Sequence, residues 1–201
     1  MNNSSDIGPA FRDPVLQSQA VFRAIMSAMA EPGTIATLKQ LAGPPQRLGC
    51  AMASVALTLC DFETSVWLDD EFRLDPEVAA YIRFHTGARI AEREAEATFA
   101  LVTRPEALPP LSSFSLGTPE FPDRSTTVVV EVEVLETGRG WRVSGPGIAG
   151  VSRLAAEPFA ADFTAQLKAN RDLFPRGVDL VLCCGERLAA LPRSVRIVGE
   201  D

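Results

Sequence analysis

Histidine is nearly absent from this chain: His85 is the only one among 201 residues, and lysine occurs only as Lys39 and Lys168. A Ser-His-Asp arrangement is left with one possible base, and the G-x-S-x-G turn that presents a nucleophilic serine does not occur. Pyridoxal phosphate needs a lysine for its Schiff base. Lys39 falls in a loop-like stretch and Lys168 on the outer side of an amphipathic helix, and neither position suits that role. The pattern G-x-x-x-x-G-K-S/T is also missing, which removes the usual signature of a P-loop site.

Other absences narrow the class further. Cys50, Cys60, Cys183 and Cys184 include no C-x-x-C pair, and one histidine cannot complete a zinc-finger pattern. Four buried, reduced thiols are expected, with no metal, no iron–sulfur cluster and no cofactor. The longest uncharged stretch of helical character, Leu48 to Cys60, is shorter than the ~20 apolar residues of a bilayer span. The polar, acidic start of the chain has no apolar h-region, so a secretory signal is not expected and a cytoplasmic location is. Seventeen of the nineteen basic residues are arginine, but they are scattered, and no linear basic cluster points to nucleic acid.

What the chain does have is apolar content. It is 46% hydrophobic at a net charge of −7, long enough for one domain with a proper core and rich enough in apolar side chains to suggest a subunit interface. Residues 1–11 read as a flexible arm and 12–201 as a single domain. Asp13-Pro14 starts a helix, with Val15, Phe22, Ile25, Met26 and Met29 at helical spacing and Glu31-Pro32-Gly33 as the stop. A short strand is expected over Ile35–Leu38. Pro44-Pro45 opens a second helix through Cys60, apolar on all faces and therefore central. A strand at Thr64–Leu68, a helix from Asp75-Pro76 through about Phe84, and a strand at Ala97–Thr103 follow. Residues 104–124 read as an irregular loop.

Ser125–Leu135 alternates valines with glutamates as one long strand, which Thr137-Gly138-Arg139-Gly140 turns back into Trp141–Ser144. A helix over Pro158–Asp172, a buried strand at Val178–Cys184 and a last strand at Ser194–Val198 complete the pattern. Interspersed strands and helices with a hairpin predict an α/β domain with a mixed central sheet.

Four polar, glycine-bearing segments carry the candidate chemistry: Arg83-Phe84-His85-Thr86-Gly87, Gly117–Thr126 (GTPEFPDRST), Ser144-Gly145-Pro146-Gly147-Ile148 and Phe174–Asp179 (FPRGVD). His85 reads as a general acid/base or an oxyanion donor beside Arg83, or as a cation at a helix C-terminus ended by Gly87, and the structural reading is preferred. Arg124 and the Ser125 hydroxyl after Asp123 offer an anion fork, or a turn in which Arg124 pairs with a carboxylate. Ser144, Gly145 and Gly147 offer a backbone nest or a plain turn. Arg176 sits in a turn into the buried strand.

As an ordered series these segments say more. Together with RAIMSAMAEPGTI, LTLCDFETSVWLD, NRDLFPRGVDLVL and LPRSVRI, from about Phe11 to Ile197, they resemble PhnH, the H-subunit family of the bacterial carbon–phosphorus lyase system. The resemblance implies a three-layer fold, a mixed sheet flanked by helices, similar to pyridoxal-phosphate-dependent transferases but without the cofactor. It implies a homodimer that joins the G, I and J subunits, with the ATPase-like K and L subunits associated. It also implies a supporting role in alkylphosphonate catabolism, the synthesis of ribose 1-methylphosphonate 5-triphosphate, with catalysis carried by another subunit. The resemblance brings no agreed catalytic residue. Arg83, His85, Thr86, Asp123, Arg124, Ser125, Ser144, Gly145, Gly147 and Arg176 therefore stay candidates for a ligand pocket or an interface. The alternative is an enzyme in its own right that binds a phosphonate or nucleotide with His85 and the nearby arginines.

Overall fold

A computed structural model of the chain describes residue 7 and residues 10–38 and 43–200. Lys39 and most of the expected N-terminal arm lie outside the described residues. Ile7 packs against the core and Phe11 is buried in it.

The first helix forms where Asp13 and Pro14 direct it. In α1 (Pro14–Ala30) the Asp13 carboxylate accepts the Leu16 N–H, and proline occupies the first turn, where no N–H is needed. The buried stripe, however, is Val21, Ile25 and Ala28. Val15, Phe22 and Met26, expected inside, stand exposed with Leu16. Apolar residues occupy two faces of this helix, and only one of them can meet the core.

The second helix, α2 (Cys50–Leu59), starts six residues later than Pro44. The prolines lead into a turn closed by the Leu48 N–H on the Pro45 carbonyl, and Gly49 caps the helix. Ala51 through Val55 and Ala56 are all buried, as an all-round apolar helix requires.

The remaining elements are β1 (Ala36–Thr37), β2 (Ser65–Leu68), α3 (Asp70–Leu74), α4 (Pro76–Thr86), β3 (Arg89–Ala91), β4 (Phe99–Val102), β5 (Thr127–Glu131), β6 (Val134–Ser144), β7 (Ser152–Glu157), α5 (Phe163–Asp172), β8 (Asp179–Cys184), β9 (Arg187–Leu191) and β10 (Arg196–Glu200). Of these, α3, β3, β7 and β9 were not anticipated. Residues 104–124 are irregular apart from short 3-10 turns, as expected.

Two corrections concern the long valine strand. It does not run from Ser125 to Leu135: β5 ends at Glu131 and β6 begins at Val134 in a different sheet. Between them the Val132 N–H donates to Cys183 and the Glu133 N–H to Glu157, so the chain passes from β8 to β7 in two residues. Leu135, rather than Val134, is then the buried position. Nor does Thr137–Gly140 form a hairpin turn. Thr137 and Trp141 both face Leu154 of β7, so the glycine-bearing stretch is a bulge within β6. The turn that joins β6 to β7 is the Ser144–Ile148 segment. The last helix likewise begins at Phe163 instead of Pro158, although Phe163, Leu167 and Asn170 form its buried side as expected.

Seven strands make the main sheet in the order β1-β9-β8-β5-β4-β2-β3. Within it β3, β2, β4, β5 and β8 run parallel, while β9 and β1 are antiparallel additions. The sheet is therefore mixed and central. Alternate residues of its strands enter two cores: Val66, Leu68, Val129 and Val181 meet α1, α2 and α4, while Trp67, Val128, Val130, Leu180 and Leu182 face the other way. On that second side lies a layer the sequence pattern did not separate, an antiparallel sheet β10-β6-β7 joined by α5 and the 104–124 loop.

Candidate functional site

Three of the four segments lie at the same end of the main sheet. Arg83–Gly87 precedes β3, Gly117–Thr126 precedes β5, and Phe174–Val178 precedes β8, each at the amino end of a parallel strand. In open α/β sheets, ligands bind beyond the carboxyl ends of the strands instead.

His85 sits in the last turn of α4 rather than just beyond it, in ring contact with Tyr81 (4.5 Å) and Phe84 (4.9 Å). The Thr86 hydroxyl donates to the Ile82 carbonyl (2.7 Å) and accepts the Ala88 N–H (3.0 Å). Gly87, at φ +74°, returns its N–H to Arg83. This is a helix C-terminus finished by a left-handed glycine with basic side chains in its last turn. The segment thus has the local geometry of the preferred structural reading.

The second and fourth segments meet. Leu116 accepts the Gly177 N–H (2.9 Å), and Thr126 accepts the Asp179 N–H (3.3 Å). Arg193, which the sequence reading passed over, ties them together. Its guanidinium pairs with the Asp179 carboxylate, and Nη1 also donates to the carbonyls of Pro122 (2.6 Å) and Pro175 (3.5 Å). Asp123 is exposed. Arg124 lies 4.2 Å above the Phe121 ring. Ser125 is buried, and its Oγ has no hydrogen-bond partner among the described residues. Arg176 is half-buried in a turn whose N–H bonds the Leu173 carbonyl.

The third segment belongs to another neighbourhood. Ser144 pairs with Arg196 of β10, Gly145 lies against the Ser194 carbonyl, and Gly147 is pressed onto the Ala30 carbonyl at the end of α1. Strand order separates the first segment from the second and fourth by three and four strands, roughly 14 and 19 Å at about 4.8 Å per strand. His85 and Arg83 are therefore not gathered with Asp123, Arg124 and Arg176 into one compact pocket.

The carboxyl ends of the strands hold Asp69 and Glu131. The parallel strand order reverses direction between β2 and β4, the place where such folds open a ligand crevice. Here Asp69 fills it. One carboxylate oxygen accepts the Phe72 N–H (3.0 Å), capping α3, and the other accepts both the N–H (2.7 Å) and hydroxyl (2.5 Å) of Thr103.

Beside it, Glu131 closes β5. Burial pushes its carboxyl up to about 7, against the Gly185 N–H that favours the ionised form, and Oε2 has no partner among the described residues. Gly49 faces it closely, and a Cβ there would have to displace the Glu131 carboxylate. The alternating pattern had put Glu131 on the wetter face. Only the long separation between residues 49 and 131 hid the contact.

The thiols are free, as expected, although Cys50 and Cys184 are half-buried rather than buried. Burial pushes Cys60 up to about 12 and Cys183 well above the ordinary thiol range, and burial with Glu186 and Glu131 raises Cys50. Raised thiols are poor nucleophiles. Burial, with Cys50, also lifts the Tyr81 hydroxyl to about 12. Among the described residues no group of His, Cys, Asp and Glu is placed to hold a metal ion. Lys168 is exposed on α5.

The family model described as "Bacterial phosphonate metabolism protein (PhnH)" matches residues 9–198. A protein of Rhizobium meliloti (strain 1021), named alpha-D-ribose 1-methylphosphonate 5-triphosphate synthase subunit PhnH, is 44% identical over 95% of both chains. A second, from Stutzerimonas stutzeri, is named putative C-P lyase subunit protein HtxG and is 30% identical over 90% of this chain and 86% of its own. With the ordered segments spread over nearly its whole length, the chain belongs to the PhnH family of bacterial phosphonate metabolism proteins.

Proposed function

We propose that this chain is a non-autonomous subunit of a carbon–phosphorus lyase assembly, supporting the step that joins a phosphonate to the ribose of ATP. In that step the bond from adenine to ribose C1′ breaks, a bond from phosphonate oxygen to C1′ forms, and adenine leaves while the 5′-triphosphate stays. The observation that carries the reading is the synthase subunit of Rhizobium meliloti, 44% identical over 95% of both chains.

Features of this chain support a role without its own catalytic centre. The crevice between β2 and β4 is filled by Asp69, the buried thiols are raised, and His85 stands at a helix end. Val15, Leu16, Phe22 and Met26 leave large apolar side chains exposed on α1, which suits a protein that works in an assembly. The proposal places the chain in the cytoplasm as a homodimer, one domain over 12–201, joining the G, I and J subunits with K and L associated. It includes the fold likeness to pyridoxal-phosphate-dependent transferases, without the cofactor. No described helix is long and apolar enough to cross a membrane.

Co-expression with the G, I and J subunits followed by native mass spectrometry tests it. A joint complex containing this chain is expected, and its persistent absence overturns the reading.

A further inference from the structure

Between α5 and the small sheet lies an open cleft of about 400 Å³ that none of the four segments touches. Phe159 stacks on Phe163 at 4.0 Å with 8° between planes, and Trp141 meets both rings at 5.5 and 5.8 Å. Trp141 and Phe163 are buried, whereas Phe159 is only half-buried and lines the cleft. The Trp141 indole N–H donates to the Thr164 hydroxyl (3.0 Å), which donates to Glu200 Oε2 (2.9 Å). This relay fixes a carboxylate at the rim. Glu157 also lines the cleft, and the one cation of the described lining, Arg139, is already shared between Glu157 and Glu136.

An aromatic wall under an anchored carboxylate is the arrangement that favours a cation, whose charge meets the ring face and the carboxylate together. Glu200 has no cationic partner among the described residues, and the cleft and its ion pairs leave an excess of negative charge. A second cleft, along the C-terminal turns of α5, carries Lys168, Arg171 and Arg196. The carbonyls that end the helix account for cations on α5 there. No such local partner accounts for Glu200.

We propose that the Trp141–Phe159–Glu200 cleft receives an arginine or lysine side chain of a partner subunit. The net charge of −7 favours basic partners at longer range, and the open cleft admits a side chain from a facing surface. The inference rests on the subunit reading above.

Two arms test it. In the first, the Trp141 indole N–H resonance is followed while N-acetyl-arginine amide is titrated against uncharged N-acetyl-norleucine amide. The arginine probe is expected to shift the resonance and the norleucine probe is not, and Glu200→Gln weakens the arginine effect by about fivefold or more. No shift, or an equal shift with norleucine, overturns the cleft's cation chemistry.

In the second arm, wild type and Glu200→Arg are compared in co-expression with the lyase subunits. The variant is expected to keep its melting temperature and lose about tenfold of its recovery in the complex. Equal recovery overturns the partner as the source of the cation. If even wild type enters no complex, the subunit reading itself fails, and the titration still decides what the cleft binds.

Discussion

Glu131 ends β5 with Oε2 sealed against Gly49, so ionising it takes a charge out of water with one N–H, that of Gly185, to receive it. Its folded pKa, about 7, lies above the ordinary 4.5, so the folded state holds the proton more tightly than the unfolded chain. Stability from this group is full below about 4.5, falls as pH rises toward 7, and is level above. The span is about 3 kcal/mol. Urea denaturation at pH 5 and pH 8 should show most of that loss in wild type and a smaller one in Glu131→Gln. Equal pH slopes in the two proteins would show that Glu131 ionises freely.

Gly147 gives a second test at this scale. Its φ is +80°, and a Cβ there would overlap the Ala30 carbonyl, so Gly147→Ala should cost about 2 kcal/mol or more in thermal unfolding. Such demands arise between residues far apart in the chain. The glycine at 147 was visible in the sequence, but its contact with α1 was not.

At the scale of elements, Arg193 holds the second and fourth segments against β8. Removing it leaves Asp179, largely buried, without its cation and the Pro122 carbonyl without its donor. Arg193→Ala should therefore destabilise by about 3 kcal/mol, and hydrogen exchange at Gly177 and Val178 should quicken before that of β4. Uniform loss of protection would mean that the clamp is not local.

The outer side of α1 makes the opposite prediction. Phe22→Ser and Met26→Ser change exposed positions and should shift the denaturation midpoint of the isolated chain by no more than about 0.5 kcal/mol.

How far the elements could be read depended on what periodicity can detect. Asp13-Pro14 and Asp75-Pro76 mark the starts of α1 and α4 because caps act within one turn. The alternation in Ser125–Leu135 continues through Val132, so it could not reveal that the strand changes sheets there. Gly138 and Gly140 give the same signal for a bulge as for a turn, since both need a left-handed residue. Strand β3 is short, and its place is set by pairing with β2 across more than twenty residues. Strand β9 instead returns along β8 through the two-residue Gly185-Glu186 turn, a local signal that the sequence reading passed over.

For the whole molecule, the alternating burial of β2, β5 and β8 explains two cores on one sheet, and with them the layered α/β architecture expected from the mix of elements. The ordered segments were enough to indicate the family, yet not to build a site, because strand order sets the first apart from the second and fourth, which meet, and the third lies near α1 and β10. The fold has a carboxyl-end crevice filled by Asp69 and an exposed apolar face on α1. A subunit role follows from these features and from the relatives together.

The direct measurement is phosphorus-31 NMR of ATP and methylphosphonate incubated with this chain alone, with the other lyase subunits alone, and with both. The account predicts ribose 1-methylphosphonate 5-triphosphate only when both are present. Product from this chain alone, or full turnover by the others without it, would contradict it.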